Sequence, residues 1–215
     1  MHRLLKTIVA AVLVAATEAR GVENETASNG FEVAFRSGVL IPAGDAAQDA
    51  TLSDGYGVQF PLWIDLGYRL DRLFVGAYGQ YAFGLLGSQL TCQSGTSCSE
   101  YALRVGLELQ YHLLGRVRID PWLGLGAGYE WDSVHASNSS ESATVTLQGW
   151  EFLRLEAGVD FAVADSLRLG PFVGFSMGQF DHGSVSGTTG DTSQSIDQKA
   201  LHFWICVGLK LTWVP

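Results

Sequence analysis

Apolar residues recur at every second position through eight separate stretches of 11 to 14 residues. A period of two marks an extended strand with one apolar face, because successive side chains point to opposite sides. The clearest case is "YALRVGLELQYHLL", residues 101–114. There Tyr101, Leu103, Val105, Leu107, Leu109, Tyr111 and Leu113 alternate with Ala102, Arg104, Gly106, Glu108, Gln110 and His112. The other stretches are residues 31–41, 57–69, 73–85, 118–131, 152–163, 167–177 and 201–213. Three connections, at Asp71-Arg72, Gly115-Arg116 and Asp165-Ser166, are short enough for tight hairpins. Four are long, at 42–56, 87–99, 132–148 and 178–198, and their Gly, Ser, Thr, Asn and Asp read as loops. Long loops therefore share one end of the sheet and short turns the other. This predicts an all-β fold, an eight-stranded antiparallel up-and-down β-barrel.

Alternation does not say which face points inward. Strand length is the first guide. Soluble strands average ~5–6 residues, whereas a tilted strand crossing a bilayer needs ~9–11. Aromatic spacing is the second. Tyr101 and Tyr111 are ten residues apart, as are Phe203 and Trp213. Ten residues span ~33 Å, which a tilt near 40° reduces to ~25 Å along a barrel axis. That matches the ~25 Å apolar band between the aromatic girdles of a transmembrane barrel. With Tyr129 and Trp131, these four residues are read as girdle positions. The content of the opposite face is the third guide. It carries Glu32, Asp65, Glu108, Asp120, Glu130, Glu156 and Asp160, with Arg36, Arg69, Arg104, Arg154, Arg168 and Lys210. Eleven glycines share this parity, among them Gly106, Gly128, Gly158 and Gly208. Glycine weakens a strand that faces water, but the crowded interior of a small barrel calls for it. A soluble cup would instead present a Lys- and Glu-rich exterior. The chain therefore reads as a transmembrane β-barrel with apolar side chains outward and a lumen charge network inward. Residues i and i+4 on a strand lie ~13 Å apart, so Glu32 with Arg36, or Arg104 with Glu108, must find partners on neighbouring strands. Seven acids against six bases argue against strong ion selectivity.

The first residues carry Arg3 and Lys6, then a short apolar run from Ile8 to Ala16. This reads as a signal peptide, residues 1–19, ahead of a single barrel domain, residues 20–215, because the run is too short to span a bilayer as a helix. Losing Arg3, Lys6 and Glu18 would take thirteen bases and twenty-two acids to eleven and twenty-one, a net charge of −10. Such a chain is a poor partner for nucleic acid, whose phosphates call for Lys and Arg. Of three cysteines, Cys92 and Cys98 share "TCQSGTSCSE" and read as a disulfide-closed loop of an exported protein. A metal there would lack two further ligands. Cys206 reads as a small lumen residue. It lies ~13 Å along the strand from His202, too far for a shared metal or a Cys–His nucleophile. "GLGAG" at residues 124–128 lies within a strand with no helix after it, so it is no nucleotide loop.

Signal peptide, eight amphipathic strands, alternating long and short connections, and "PWLGLGAGYEW" at Pro121–Trp131 resemble the small outer-membrane β-barrel superfamily. That group includes the OmpA transmembrane domain, OmpX and OmpW. The resemblance implies a monomer in the bacterial outer membrane, in contact with outer-membrane lipid and inserted by the barrel-assembly machinery. That machinery reads a terminal aromatic residue; here Trp213 takes the place, followed by Val214 and Pro215. The resemblance also brings in lipid A-modifying enzymes with His/Ser/acid sites, for which His135, Ser137 and Glu141 in "HASNSSES" are the candidates. A serine-rich loop rarely supplies triad geometry, so no enzymatic activity and no cofactor are expected. The long loops contain Asp45, Asp49, Asp54, Asp132, Glu141, Asp181, Asp191 and Asp197 but neither Lys nor Arg. The reading is a structural or surface-interacting barrel with acidic extracellular loops; the alternative is a narrow, porin-like channel for small or apolar solutes.

Overall fold

The computed structural model describes residues 29–47, 50–92, 94–115, 117–188 and 190–214. The segment read as a signal peptide, and Asp49 and Arg116, lie outside them. Eight long strands form a closed ring: β1 (Gly30–Ala47), β2 (Tyr56–Leu70), β3 (Leu73–Leu86), β4 (Ser97–His112), β5 (Ile119–Ser137), β6 (Ser142–Ala164), β7 (Leu167–Gly187) and β8 (His202–Trp213). Each pairs antiparallel with its sequence neighbour, and β8 closes on β1 from Val33↔Trp213 to Gly44↔His202. The seam places Arg36 directly opposite Lys210.

The apolar parity faces out. Leu62, Leu107, Leu123, Val173 and Val207 are each more than half exposed, whereas Trp63, Trp122, Phe172 and Trp204 on the other parity are buried inside. Interior aromatics fit because glycines lie beside them. Trp122 covers Gly158, where an added Cβ would stand 2.6 Å from the indole ring. Tyr78 fills the space left by the cross-strand pair Gly106 and Gly128. Gly158→Val is therefore expected to cost about 1–3 kcal/mol through overpacking. Gly79→Val, where a Cβ would meet only the Ile64 side chain at 3.8 Å, is expected to change little. Urea-unfolding midpoints in lipid vesicles would separate the two.

Four connections depart from the sequence reading. Residues 132–148 are mostly strand rather than loop: β5 runs to Ser137, β6 begins at Ser142, and four residues turn between them. In the last long connection, β7 continues to Gly187, and Thr192–Ser195 adds a short strand against it. Between β4 and β5 the link is six residues, 113–118, not a tight turn. The first long connection also holds structure: Ala50–Thr51 pairs with the end of β1, and the helical turn α1 (Leu52–Gly55) follows.

The strand extensions explain why composition suggested loops. Period two continues past Trp131, but its polarity reverses. In the membrane-type part of β5, Leu123 and Leu125 point out and Glu130 points in. Beyond it, Ser133 and His135 take the outward parity and Val134 and Ala136 the inward. Ser133 bonds Thr146 at 2.8 Å and His135 bonds Thr144 at 2.8 Å, a polar outer ladder across the β5–β6 hairpin. That is the polarity of a sheet in water. From Asp132 to Ser137 the strand adds ~20 Å, or ~15 Å along the axis at a tilt near 40°. The barrel therefore stands as a wall above its apolar belt.

Candidate functional site

The ring directs one parity of eight strands into a narrow interior. All thirteen charged residues singled out in the sequence lie there, none more than 8% exposed. At the short-turn end, Arg69 Nε donates to Glu32 at 2.7 Å, and His112 Nδ1 lies 2.8 Å from Asp120. Lys210 Nζ donates to Gln110 at 2.6 Å and sits 3.5 Å from Asp160, with the Trp122 ring 4.3 Å away. In the next layer Arg36 reaches three carboxylates, Asp65 and Glu108 at 2.7 Å and Glu156 at 2.6 Å. Its guanidinium is flanked by Trp63 and Phe172. Above it, Arg154 bonds Glu151 at 3.1 Å, and the Tyr78 hydroxyl donates to the same carboxylate. Nearest the long-loop end, Arg104 bonds Glu130 and Asp132, each at 3.0 Å, and His202 Nε2 lies 2.5 Å from Glu130. Arg168 departs from this pattern: its described hydrogen bond is to the Val117 carbonyl at 2.8 Å.

Two expectations are corrected here. Partners do not come only from adjacent strands: Arg36 on β1 reaches Glu108 on β4 and Glu156 on β6, straight across the lumen. The lumen is also not nearly balanced. Glu100, Asp132 and Glu151 join the seven acids, so ten buried carboxyl groups face six Arg and Lys among the described residues, with His112 and His202 beside them. Neutral donors share the load: Gln59 Nε2 serves Glu100 at 2.7 Å and Asp132 at 3.1 Å, Gln110 serves Glu108 at 3.0 Å, and Trp122 serves Asp160 at 3.0 Å. Glu151 escapes the parity reading because a bulge between Glu151 and Leu153 shifts the register, bringing both Glu151 and Arg154 inward three residues apart. Asp132, by its sequence context a loop acid, is fully buried instead.

An apolar cap closes the interior at the long-loop end. Leu52 of α1, Ala46, Tyr56 and Phe180 are buried together, with Val134, Leu147 and Ile196 packed on them. Inside the barrel, a cavity of about 10 Å³ borders Trp63, Arg154, Trp204 and Cys206, which is room for at most one water.

On the outside, Tyr101, Tyr111 and Trp213 are exposed. Phe203, Tyr129 and Trp131 are half-covered by aromatic neighbours: Phe203 stacks on Phe175 at 5.6 Å, and Tyr129 meets Trp131 at 4.8 Å and Trp150 at 5.2 Å. Trp150 and Phe152 join this outer set: Trp150 lies outside the stretches read as strands, and Phe152 opens one of them on the parity read as inward. Cys92 and Cys98 form a disulfide, and Cys206 is a buried free thiol. His135, Ser137 and Glu141 are not brought together as a triad. His135 bonds Thr144, Ser137 pairs with Ser142, and the Glu141 amide donates to Asn138 at 2.8 Å.

A closed ring with an apolar exterior and an ion-paired interior is a transmembrane β-barrel, since only closure satisfies every strand edge in lipid. Among solved structures, it is similar to a major outer membrane protein from Thermus thermophilus. That match has a TM-score of 0.58 at 14% identity and covers 87% of this chain and 100% of that one. It is also similar to the outer membrane protein OprG from Pseudomonas aeruginosa, with a TM-score of 0.50 at 14% identity over 86% and 96% of the two chains. No family model matches the sequence, and no curated protein matches it. The fold is that of the small outer-membrane β-barrels.

Proposed function

We propose that this chain is a monomeric barrel of the bacterial outer membrane with a structural or surface-interacting role, acting through its long-loop end. Residues 1–19 direct export, the barrel-assembly machinery inserts the chain, and the short turns face the periplasm. The six girdle aromatics sit at the two lipid interfaces. The observation that carries this reading is the filled interior. Four layers of buried ion pairs and an apolar cap occupy the lumen, and opening a path would leave buried charges without partners, which is costly. The two similar barrels support the placement in an outer membrane. The pure full-length protein is expected to give no steady conductance in a planar lipid bilayer.

The excess of acids over bases favours a second reading, a narrow channel that passes cations when the cap moves. Reproducible, cation-selective single-channel steps that change in Arg104→Ala would replace the first reading with the second.

A further inference from the structure

Above the apolar belt, the inward faces of β6 and β7 border a cleft of about 620 Å³. Its walls are the β6–β7 pair, the strand Thr192–Ser195 and the end of β1. Val145 and Val185 stand opposite each other in the β6–β7 register and are each 44% exposed. Leu147 and Ile196 continue that apolar surface down to the cap, where they pack against the buried cluster of Tyr56 and Phe180. The cleft therefore has a floor and does not lead into the lumen.

In its polar rim Thr192, Ser193, Gln194 and Gln198 offer hydroxyl and amide groups, and Asp197 is the one ionisable side chain among the described lining residues. A pocket of this size, with an apolar wall and a polar rim, is in the range of small-molecule sites. No Lys, Arg or His is among the described lining residues, so none of those residues would hold a phosphate or carboxylate. A single aspartate against valine walls does not compensate a cation for its lost water. A pure hydrocarbon would strip water from the rim hydroxyls without replacing their hydrogen bonds.

We propose that this cup binds a small uncharged amphiphile, its apolar body on the Val145, Leu147 and Val185 wall and its hydroxyl or glycosyl groups at the Thr192–Gln198 rim. The site is separate from the ion-paired interior and does not depend on whether the lumen conducts.

The test uses the full chain in phosphatidylcholine nanodiscs, titrated calorimetrically with n-hexyl-β-D-glucoside below its micelle concentration, with empty nanodiscs subtracted. Saturable binding at one site per chain is expected, with hexyl sulfate and hexyltrimethylammonium at least tenfold weaker. Val185→Lys is expected to weaken glucoside binding at least tenfold. Ser186→Lys, one residue on and facing the other way, is expected to leave it unchanged. Unheated gel mobility would establish that both variants are folded. No saturable glucoside binding, equal binding of the charged analogues, or binding that survives in a folded Val185→Lys variant would each overturn the proposal. None of these outcomes bears on the conductance measurement, so the two readings fail separately.

Discussion

Arg36→Ala is expected to lower the stability of the barrel by about 3–5 kcal/mol, the cost of leaving buried charge unpaired. Its guanidinium is the common partner of Asp65, Glu108 and Glu156, which lie within 2.7 Å of it and are almost wholly shielded from water. Removing it leaves three carboxylates facing one another. The comparison is Arg168→Ala. That side chain is also buried, but its described bond is to one backbone carbonyl, so about 1–2 kcal/mol is expected. Both are read as shifts in urea unfolding in lipid vesicles, followed by tryptophan fluorescence. Adding Glu156→Gln to Arg36→Ala should recover part of the loss by removing one unpaired charge. If Arg36→Ala is no less stable than Arg168→Ala, the network does not hold the barrel in the way its geometry implies.

Leu107→Arg is expected to cost about 2–4 kcal/mol, as charged residues do on the lipid face near the bilayer midplane. Leu107 is 71% exposed between Tyr101 and Tyr111, within the continuous apolar outer belt. Ser186→Arg places the same cation on the outward parity of β7 but above the reversal of polarity, and an effect within about 0.5 kcal/mol is expected. The pair locates the membrane boundary by energy. Equal costs at both positions would mean that the polarity reversal does not mark the edge of the bilayer.

The ring of eight strands was readable because period two repeats at lengths that soluble sheets seldom use, and because Asp71-Arg72 and Asp165-Ser166 leave room only for hairpins. Asp71 even adopts a positive φ of 55°, a conformation that Asp tolerates better than most residues. The wall above the membrane was not readable by composition. His135, Thr144 and Ser186 look like loop residues, yet they occupy the outward face of a sheet whose other face carries Val134, Val145 and Val185. Alternation was present, but with polarity opposite to that of the rest of the chain. Within the lumen, parity sorts side chains into two faces and goes no further. It cannot name the partners of Arg36, which lie 29, 72 and 120 residues away, because those depend on how far the strands stagger as the ring closes. Nor can it follow a bulge, which is why Glu151 was missed.

The seam between β1 and β8 brings Arg36 abreast of Lys210. Like charges directly opposite on paired strands repel, and this pair joins the two ends of the barrel. The groups that neutralise it are supplied elsewhere: Asp65 by β2, Glu108 by β4, Glu156 and Asp160 by β6. With β1 and β8 paired, the two cations share an interior shielded from water, and acids on the intervening strands offset their repulsion. The join between the two ends of the barrel is thus favourable only as part of the whole ring, because the strands between those ends carry the charges it depends on.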